Sequence, residues 1–298
     1  VRFESKMETI PDGYIALELT VSGLKGGHSG IDIPLERGNS NKLLFRFLYE
    51  TWKKRTVLIA SLNGGSLRNA IPRESFATIL VADTELDSTL ADLKEFEKLA
   101  QKEIATADPG LQMELKKTEM PEGALPCDIT EKLIKAVYAC PNGVMRMSSD
   151  MEGLVETSTN LAIVKTDNEG VTILCLLRSS VDSAREDLKN QIQCVFELAN
   201  AKVEFDGEYP GWKPNMDSPI LTVCQDVYKD MYGIIPEIKG IHAGLECGLL
   251  GGVYPNWDMI SFGPTIRFPH SPDEKVNIET VVKFWDFLVQ ILKNAPTK

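Results

Sequence analysis

The sequence has 298 residues, 43% hydrophobic and 25% charged, the balance of a globular protein with a sizeable core. Its 43 acidic and 32 basic residues give a formal net charge of −11, which repels phosphate backbones and argues against nucleic-acid binding. No stretch approaches the roughly 18 consecutive apolar residues that cross a bilayer, and no basic-then-apolar leader suggests secretion, so no membrane partner is expected. Six scattered cysteines without a C-x-x-C pair predict reduced, mostly buried thiols in a cytoplasmic protein.

The first two thirds of the chain alternate between strand and helix patterns. In chain order, period-two alternation predicts strands at 14–21, 56–62, 75–82, 111–117, 155–165, 171–177 and 201–205. Helical spacing predicts helices at 39–51, 88–105, 129–139 and 183–200. The connection 166–170 is typical of a hairpin. Strands paired by short hairpins, with helices between them, predict an antiparallel sheet with helices on one face.

Proline, glycine and aromatic residues between 207 and 214 predict a domain boundary. Beyond it we expect a helix at 220–231, a turn at 240–248, a strand at 259–262 and a last helix at 277–292. A single strand provides too little buried surface for an independent core, so this segment is expected to belong to a larger sheet.

The three histidines are His28, His242 and His270, and each lies in a loop flanked by glycine or proline. Loops held by a scaffold carry many functional sites, but surface histidines are also common there, and spacing alone leaves both readings open. The sequence has no H-E-x-x-H helix, no G-x-S-x-G elbow and no phosphate-binding G-x-x-x-x-G-K motif. A serine hydrolase and nucleotide chemistry are therefore unsupported.

Eight short segments, each weak by itself, follow one another in an order that resembles one peptidase family. They are Lys25-Gly26-Gly27-His28-Ser29-Gly30, Leu67-Arg68-Asn69-Ala70-Ile71-Pro72-Arg73, Cys140-Pro141-Asn142-Gly143-Val144, Val155-Glu156-Thr157-Ser158, Leu177-Arg178-Ser179, Tyr209-Pro210-Gly211-Trp212, Ile241-His242-Ala243-Gly244-Leu245-Glu246-Cys247-Gly248, and Phe262-Gly263-Pro264-Thr265 with His270-Ser271-Pro272-Asp273-Glu274. From about Asp12 to the C-terminus the chain resembles the aminoacyl-histidine dipeptidase branch (peptidase D, cytosol non-specific dipeptidase) of the carnosinase-like dinuclear-zinc peptidases.

The resemblance implies two parts. Residues 1–211 would form an α+β lid and dimerisation domain, an antiparallel sheet with helices on one face. Residues 212–298 would be the C-terminal segment of an α/β zinc-peptidase catalytic domain. Members of the family form homodimers through the lid. It hydrolyses short peptides, Xaa-His and other dipeptides, by water activated on two zinc ions.

The resemblance also implies roles for single residues. His270, a neutral imidazole between two prolines, would ligate one zinc, while Asp273 and Glu274 would either orient its ring or be solvated charges. His28 would reach across the dimer and stabilise the oxyanion in the partner's active site. Asn69 would hold the substrate's amide, and Arg178 its terminal carboxylate through a bidentate guanidinium fork. His242 and Glu246 would lie near the substrate, and for Glu246 a structural hydrogen-bonding role is equally open.

The sequence departs from the family pattern in its metal ligands. In the family an H-x-D pair, a bridging Asp, a Glu-Glu pair and a further acid precede the lid, and this sequence contains neither an H-x-D nor a Glu-Glu pair. Because a water-activating zinc needs about three protein ligands, His270 alone would not suffice. We therefore expect the N-terminal metal-binding half to lie outside this sequence, and the chain alone to be inactive. The alternatives are a related aminoacylase or carboxypeptidase, or a non-catalytic dimerisation and substrate-clamping module.

Overall fold

The computed structural model describes residues 1–208, 210–213, 215–240, 242, 246–267 and 274–295. Within them the strands are β1 Arg2–Glu4, β2 Tyr14–Ser22, β3 Gly27–His28, β4 Leu58–Gly64, β5 Ala70–Ile71, β6 Ser75–Ala82, β7 Gln112–Lys117, β8 Gly143–Met147, β9 Val155–Asp167, β10 Gly170–Ser179, β11 Ile266–Arg267 and β12 Lys275–Val276. The helices are α1 Ser40–Trp52, α2 Leu86–Glu103, α3 Cys127–Ala139, α4 Asp182–Leu198, α5 Pro219–Tyr232, α6 Glu246–Val253 and α7 Ile278–Asn294. No helix in these ranges is long and apolar enough to cross a membrane.

The chain divides into two compact units. The first comprises Val1–Ser148, Glu152–Glu208 and Ile241–Ala243, and the second Ser149–Met151, Tyr209–Gly240 and Gly244–Lys298. The identity of these units as lid and catalytic segment, with a boundary at 211/212, stays a prediction.

The first unit is built on an eight-stranded antiparallel sheet. Its order is β1-β10-β9-β4-β6-β2-β7, and β8 pairs with β9 beside β4. The hairpin expected at 166–170 is confirmed, because Asp167 pairs with Gly170 where β9 turns into β10. The predicted antiparallel α+β architecture is therefore confirmed.

One face of this sheet carries the main hydrophobic core. Residues of β2, β6, β9 and β10 meet all four helices of the unit there, including Leu17, Ile79, Phe47, Phe196 and Leu133, each at most 1% exposed. The opposite face holds a small buried cluster around Leu80 and Ala60. Helices on one face agree with the prediction, and the opposite surface is called the open face below.

The second unit is smaller. Helices α5 and α7 pack through Val227, Phe287 and Ile291, with the ring of Phe262 against that of Phe287. Ser218 caps α5, because its hydroxyl oxygen accepts a hydrogen bond from the Leu221 backbone N–H at 3.1 Å. The Asp258 carboxylate accepts from the Ser218 hydroxyl at 2.6 Å and from the Ile220 backbone N–H at 2.8 Å.

Three expectations about secondary structure were wrong. Residues 201–205 form no strand and make a single bridge, Lys202 to Arg2 of β1. Residues 259–262 are not a strand: Ile260 and Phe262 pack on the core of the second unit without a neighbouring strand among the described residues. Residues 246–248, expected in a turn that spans 240–248, belong to α6, whereas residues 241 and 243–245 lie outside the described residues.

The cysteines are less buried than expected. Cys140 and Cys224 are buried, Cys175 and Cys247 half-buried, while Cys127 and Cys194 are exposed.

Candidate functional site

The predicted binding residues of the first unit gather on the open face, at the end of β9 and β10. Arg178 on β10 pairs in register with Ser158 on β9. Leu177 packs against the main core, and because side chains alternate along a strand, Arg178 points to the open face. Ser158 lies directly opposite on the same face.

The side chain of His242 forms a hydrogen bond with that of Ser158. Its Nε2 lies 2.7 Å from the Ser158 hydroxyl oxygen, and the histidine is 9% exposed. Burial, and then the positive charge of Arg178, lower the pKa of His242 to about 4. At neutral pH the imidazole is therefore uncharged beside a cation, and the local positive charge belongs to the guanidinium.

Gly30 brings His28 and Arg178 to the same place. A Cβ built on Gly30 would lie 2.2 Å from the His242 carbonyl oxygen, and 3.2 Å from both Arg178 Nε and His28 Cε1. Any side chain at residue 30 would collide with the His242 backbone. The same point places His28 Cε1 and Arg178 Nε no more than twice 3.2 Å apart.

The orientation of the His28 ring is set by its own loop. Nδ1 accepts hydrogen bonds from the backbone N–H groups of Gly30 and Ile31, both at 3.1 Å. The His28 backbone N–H donates to the Asp32 carboxylate at 2.8 Å. With Nδ1 acting as acceptor, the neutral ring carries its proton on Nε2, which makes Nε2–H a hydrogen-bond donor.

Asn69 is exposed on a loop that pairs with the His28 loop. Strands β3 and β5 place His28 opposite Ala70, and the Ser29 backbone N–H donates to the Asn69 carbonyl at 2.8 Å. The Asn69 loop borders a groove of about 580 Å³ on the open face. This groove is lined by Ser66, Leu67, Arg68, Asn69, Ile163, Leu174, Leu176, Asp206 and Gly207.

The remaining predicted residues belong to the second unit or lie outside the described residues. Glu246 is exposed in the first turn of α6, in the second unit. Glu274 is exposed, whereas His270 and Asp273 lie outside the described residues. The structure thus brings together His28, Arg178 and His242, with Asn69 on the adjoining loop.

A metal pair does not fit the described part of the chain. Within it no three His, Cys, Asp or Glu side chains converge as metal ligands. What the described residues offer is a cation, a neutral imidazole and an N–H donor, a set suited to holding a carboxylate and a developing oxyanion.

Sequence reasoning missed two members of this region, Ser158 as the partner of His242 and Asn160 as the support of the Asn69 loop. Asn160 is 1% exposed, and its Nδ2 donates to the Ala70 carbonyl at 2.7 Å. A polar run, Thr157 to Asn160, inside an otherwise apolar strand is the signal that could have identified both.

Comparisons with known proteins show which peptidases the chain is similar to. Residues 13–110 match the family described as Peptidase dimerisation domain. The chain is 41% identical over 291 residues to the cytosol non-specific dipeptidase of Escherichia coli (strain K12), covering 98% of this chain and 60% of that protein. It superposes on the crystal structure of aminoacylhistidine dipeptidase from Vibrio alginolyticus with a TM-score of 0.93 and 46% identity, covering 99% of this chain and 60% of that one. The chain therefore spans about 60% of the length of each relative.

Proposed function

We propose that the chain belongs to the aminoacyl-histidine dipeptidase family and is the substrate-clamping and dimerising part of a zinc-dependent, cytoplasmic dipeptidase, which its likeness to two such dipeptidases supports. The substrates we propose are Xaa-His and other dipeptides. The observation that carries the proposal is that Arg178 and His28 flank one glycine on the open face.

Arg178 would bind the terminal carboxylate of the dipeptide. Its guanidinium lies beside a buried, neutral imidazole, so an incoming carboxylate meets one fixed cation. Charge-assisted hydrogen bonds of this type are about twice as strong as neutral ones. Such a clamp selects peptides whose free C-terminus lies one residue from the scissile bond.

His28 would donate its Nε2–H to the carbonyl oxygen of that bond. The ring is held by two backbone donors on Nδ1, so it needs no reorganisation as charge develops on the oxygen. One residue of extended chain spans about 3.3–3.6 Å. Because His28 Cε1 and Arg178 Nε lie at most twice 3.2 Å apart, a ligand as short as a dipeptide can contact both side chains.

We propose that His28, together with the neighbouring Arg178, serves the active site of the partner subunit in a homodimer. The match of residues 13–110 to a peptidase dimerisation domain supports the dimer. Asn69 on the adjoining loop would hold the substrate's amide. His242 and Glu246 would lie near the substrate.

The hydrolytic step itself is not assigned to this chain. The described residues contain no convergent set of three metal ligands, and the predicted ligand His270 lies outside them. We propose that the 298 residues bind and orient a dipeptide but turn it over only when further metal ligands complete the site.

The test compares two proteins with dipeptide substrates and Zn²⁺. One is the 298-residue chain, and the other is a chimera in which this chain replaces the matching 60% of the Escherichia coli dipeptidase. We expect hydrolysis of aminoacyl-histidine dipeptides by the chimera only. A folded, dimeric chimera without dipeptidase activity would refute the proposal, and so would turnover by the chain alone.

The second candidate is an aminoacylase or carboxypeptidase, which the carboxylate-binding Arg178 also allows. A panel of dipeptides, tripeptides and N-acyl amino acids separates them. Preference of the chimera for N-acyl amino acids or tripeptides would favour the second candidate.

A further inference from the structure

The loops that carry His28 and Asn69 form one small structure. Strands β3 and β5 contribute only two residues each, Gly27 and His28 opposite Ala70 and Ile71. One more backbone bond joins Ser29 to Asn69. A ladder this short is not stable by itself in water, so its position on the open face depends on an attachment to the sheet.

Asn160 supplies such an attachment. Its side-chain Nδ2 donates to the carbonyl of Ala70 at 2.7 Å and lies 3.4 Å from that of Arg68. Both acceptors belong to the segment that pairs with the His28 loop. Asn160 is 1% exposed in the middle of β9, where its position is fixed by pairing on β10.

The amide of Asn160 can point only one way. Its Oδ1 faces the Nδ2 of Asn39 at 3.3 Å, and an amide NH₂ group is a donor only. The Asn39 amide is oriented in turn, because its Oδ1 accepts from the Lys42 backbone N–H at the beginning of α1. The Nδ2 of Asn160 is therefore directed at the Ala70 carbonyl.

A third amide completes the chain of hydrogen bonds. Asn142 accepts through Oδ1 from the Leu161 backbone N–H at 2.9 Å and from Asn39 Nδ2 at 3.1 Å. The start of α1, the 141–143 segment and β9 are thus connected to one carbonyl beneath the His28 loop. Buried networks in which every member is hydrogen-bonded rigidify the groups they hold.

We propose that Asn160 is a positioning residue of the dipeptidase, which sets the orientation of His28 and Asn69 through the Ala70 carbonyl. This inference rests on the proposed function, in which His28 and Asn69 contact the substrate. Asn160 contacts their loops and not the substrate, so its loss should lower kcat for all dipeptides alike.

The variant that tests the proposal is Asn160→Asp. It keeps an acceptor for Asn39 and replaces the donor by an oxygen that faces the Ala70 carbonyl. The matched control is Asn41→Ala, because Asn41 is equally buried at 1% exposure and its Nδ2 lies 3.4–3.5 Å from the carbonyls of Gly64, Leu161 and Ala162, away from the His28 loop.

The first readout is hydrogen exchange of the Ser29 amide in the 298-residue chain, together with the ¹⁵N shifts of the His28 ring. In the unaltered chain we expect the Ser29 amide to be protected as strongly as the amides of β9. Asn160→Asp should speed its exchange by about tenfold or more, as expected for loss of a buried hydrogen bond, and average the ring-nitrogen shifts of His28. Asn41→Ala should do neither. Free exchange in the unaltered chain overturns the proposal even if the variant does not fold.

The second readout is kinetics in the chimera. Asn160→Asp should reduce kcat by about tenfold or more at a temperature where the variant is fully folded, with a smaller change in KM. Asn41→Ala should leave kcat unchanged although it lowers the melting temperature. Equal losses of kcat in both variants would show that Asn160 stabilises the fold and does not position the His28 and Asn69 loops. An inactive chimera would reject the proposed function, while the exchange data would still decide whether Asn160 positions the loop.

Discussion

The hydroxyl oxygen of Ser158 lies 2.7 Å from Nε2 of His242, a residue 84 positions later in the chain. This bond brings His242 to the open face beside Arg178, where burial and the neighbouring cation both disfavour protonation. The local positive charge therefore belongs to the guanidinium while the imidazole stays neutral.

The titration of His242 tests this arrangement. Its pKa should be about 4 in the folded chain, against an ordinary value of 6.5. Between pH 6.5 and 4 the unfolded chain is protonated at His242 and the folded chain is not. The contribution of His242 to the free energy of unfolding should therefore decrease as pH falls from 6.5 towards 4, with no further change below that. ¹H–¹⁵N spectra of the ring should show a neutral imidazole at pH 5.5. A protonated His242 at that pH would contradict the account.

Removing the cation should change that titration. Arg178→Met should raise the pKa of His242 while leaving it below 6.5, because burial is the larger cause and remains. Arg146→Met is the control, since Arg146 is exposed on β8 and pairs with Glu156. A pKa of His242 that is the same in Arg178→Met as in the unaltered chain would show that the two side chains do not interact.

The shape of the Arg178 side chain should matter as well as its charge. In the chimera, Arg178→Lys should raise KM for dipeptides by roughly tenfold to a hundredfold, because an ammonium group cannot bind a carboxylate with two parallel hydrogen bonds. Dipeptides amidated at the C-terminus should be poor substrates of both the chimera and its Arg178→Lys variant. A KM that Arg178→Lys leaves unchanged would remove Arg178 from the binding site.

Gly30 should tolerate no side chain. Gly30→Ala puts a methyl group 2.2 Å from the His242 carbonyl oxygen, so it should reduce the free energy of unfolding by about 1–3 kcal/mol. Gly263→Ala is the control, since a Cβ there meets nothing within 4 Å and should change stability by less than about 0.5 kcal/mol. Chemical denaturation measures both. Equal stability of the two variants would mean that residue 30 does not approach His242.

The match of residues 13–110 to a peptidase dimerisation domain predicts a two-fold assembly in solution. Sedimentation equilibrium of the chain at micromolar concentration should give twice its monomer mass of 33.1 kDa. A strict monomer at every concentration tested would refute a homodimer formed by this chain alone.

Much of the sheet could be predicted from the sequence because its strands alternate cleanly. The strand at 75–82 was predicted to the residue, and α1 begins after Asn39, whose side chain caps it. Strand β8 was missed because its exposed residues, such as Met145 and Met147, carry no alternating pattern. Residues 201–205 show the alternating pattern of a strand but make only the bridge from Lys202 to Arg2. A strand needs a neighbouring strand with which it pairs along its length.

The candidate site could be predicted only in part. Glycine-flanked His28 and the strand-end Arg178 were singled out from motifs that resemble a known family. Their proximity at Gly30 could not be read from the sequence, because it depends on packing between residues far apart in the chain. The amides of Asn39, Asn142 and Asn160 were missed for the same reason, since polar residues in a strand or cap show their partners only in the fold.

Paired assays of dipeptide hydrolysis test the central claim most directly. Equal concentrations of the 298-residue chain and of the chimera are incubated with Zn²⁺ and an aminoacyl-histidine dipeptide, and released histidine and bound zinc are measured. We predict release by the chimera, little by its Arg178→Met and His28→Ala variants, and none by the chain alone. Stoichiometric release of histidine by the zinc-loaded chain alone would contradict the account.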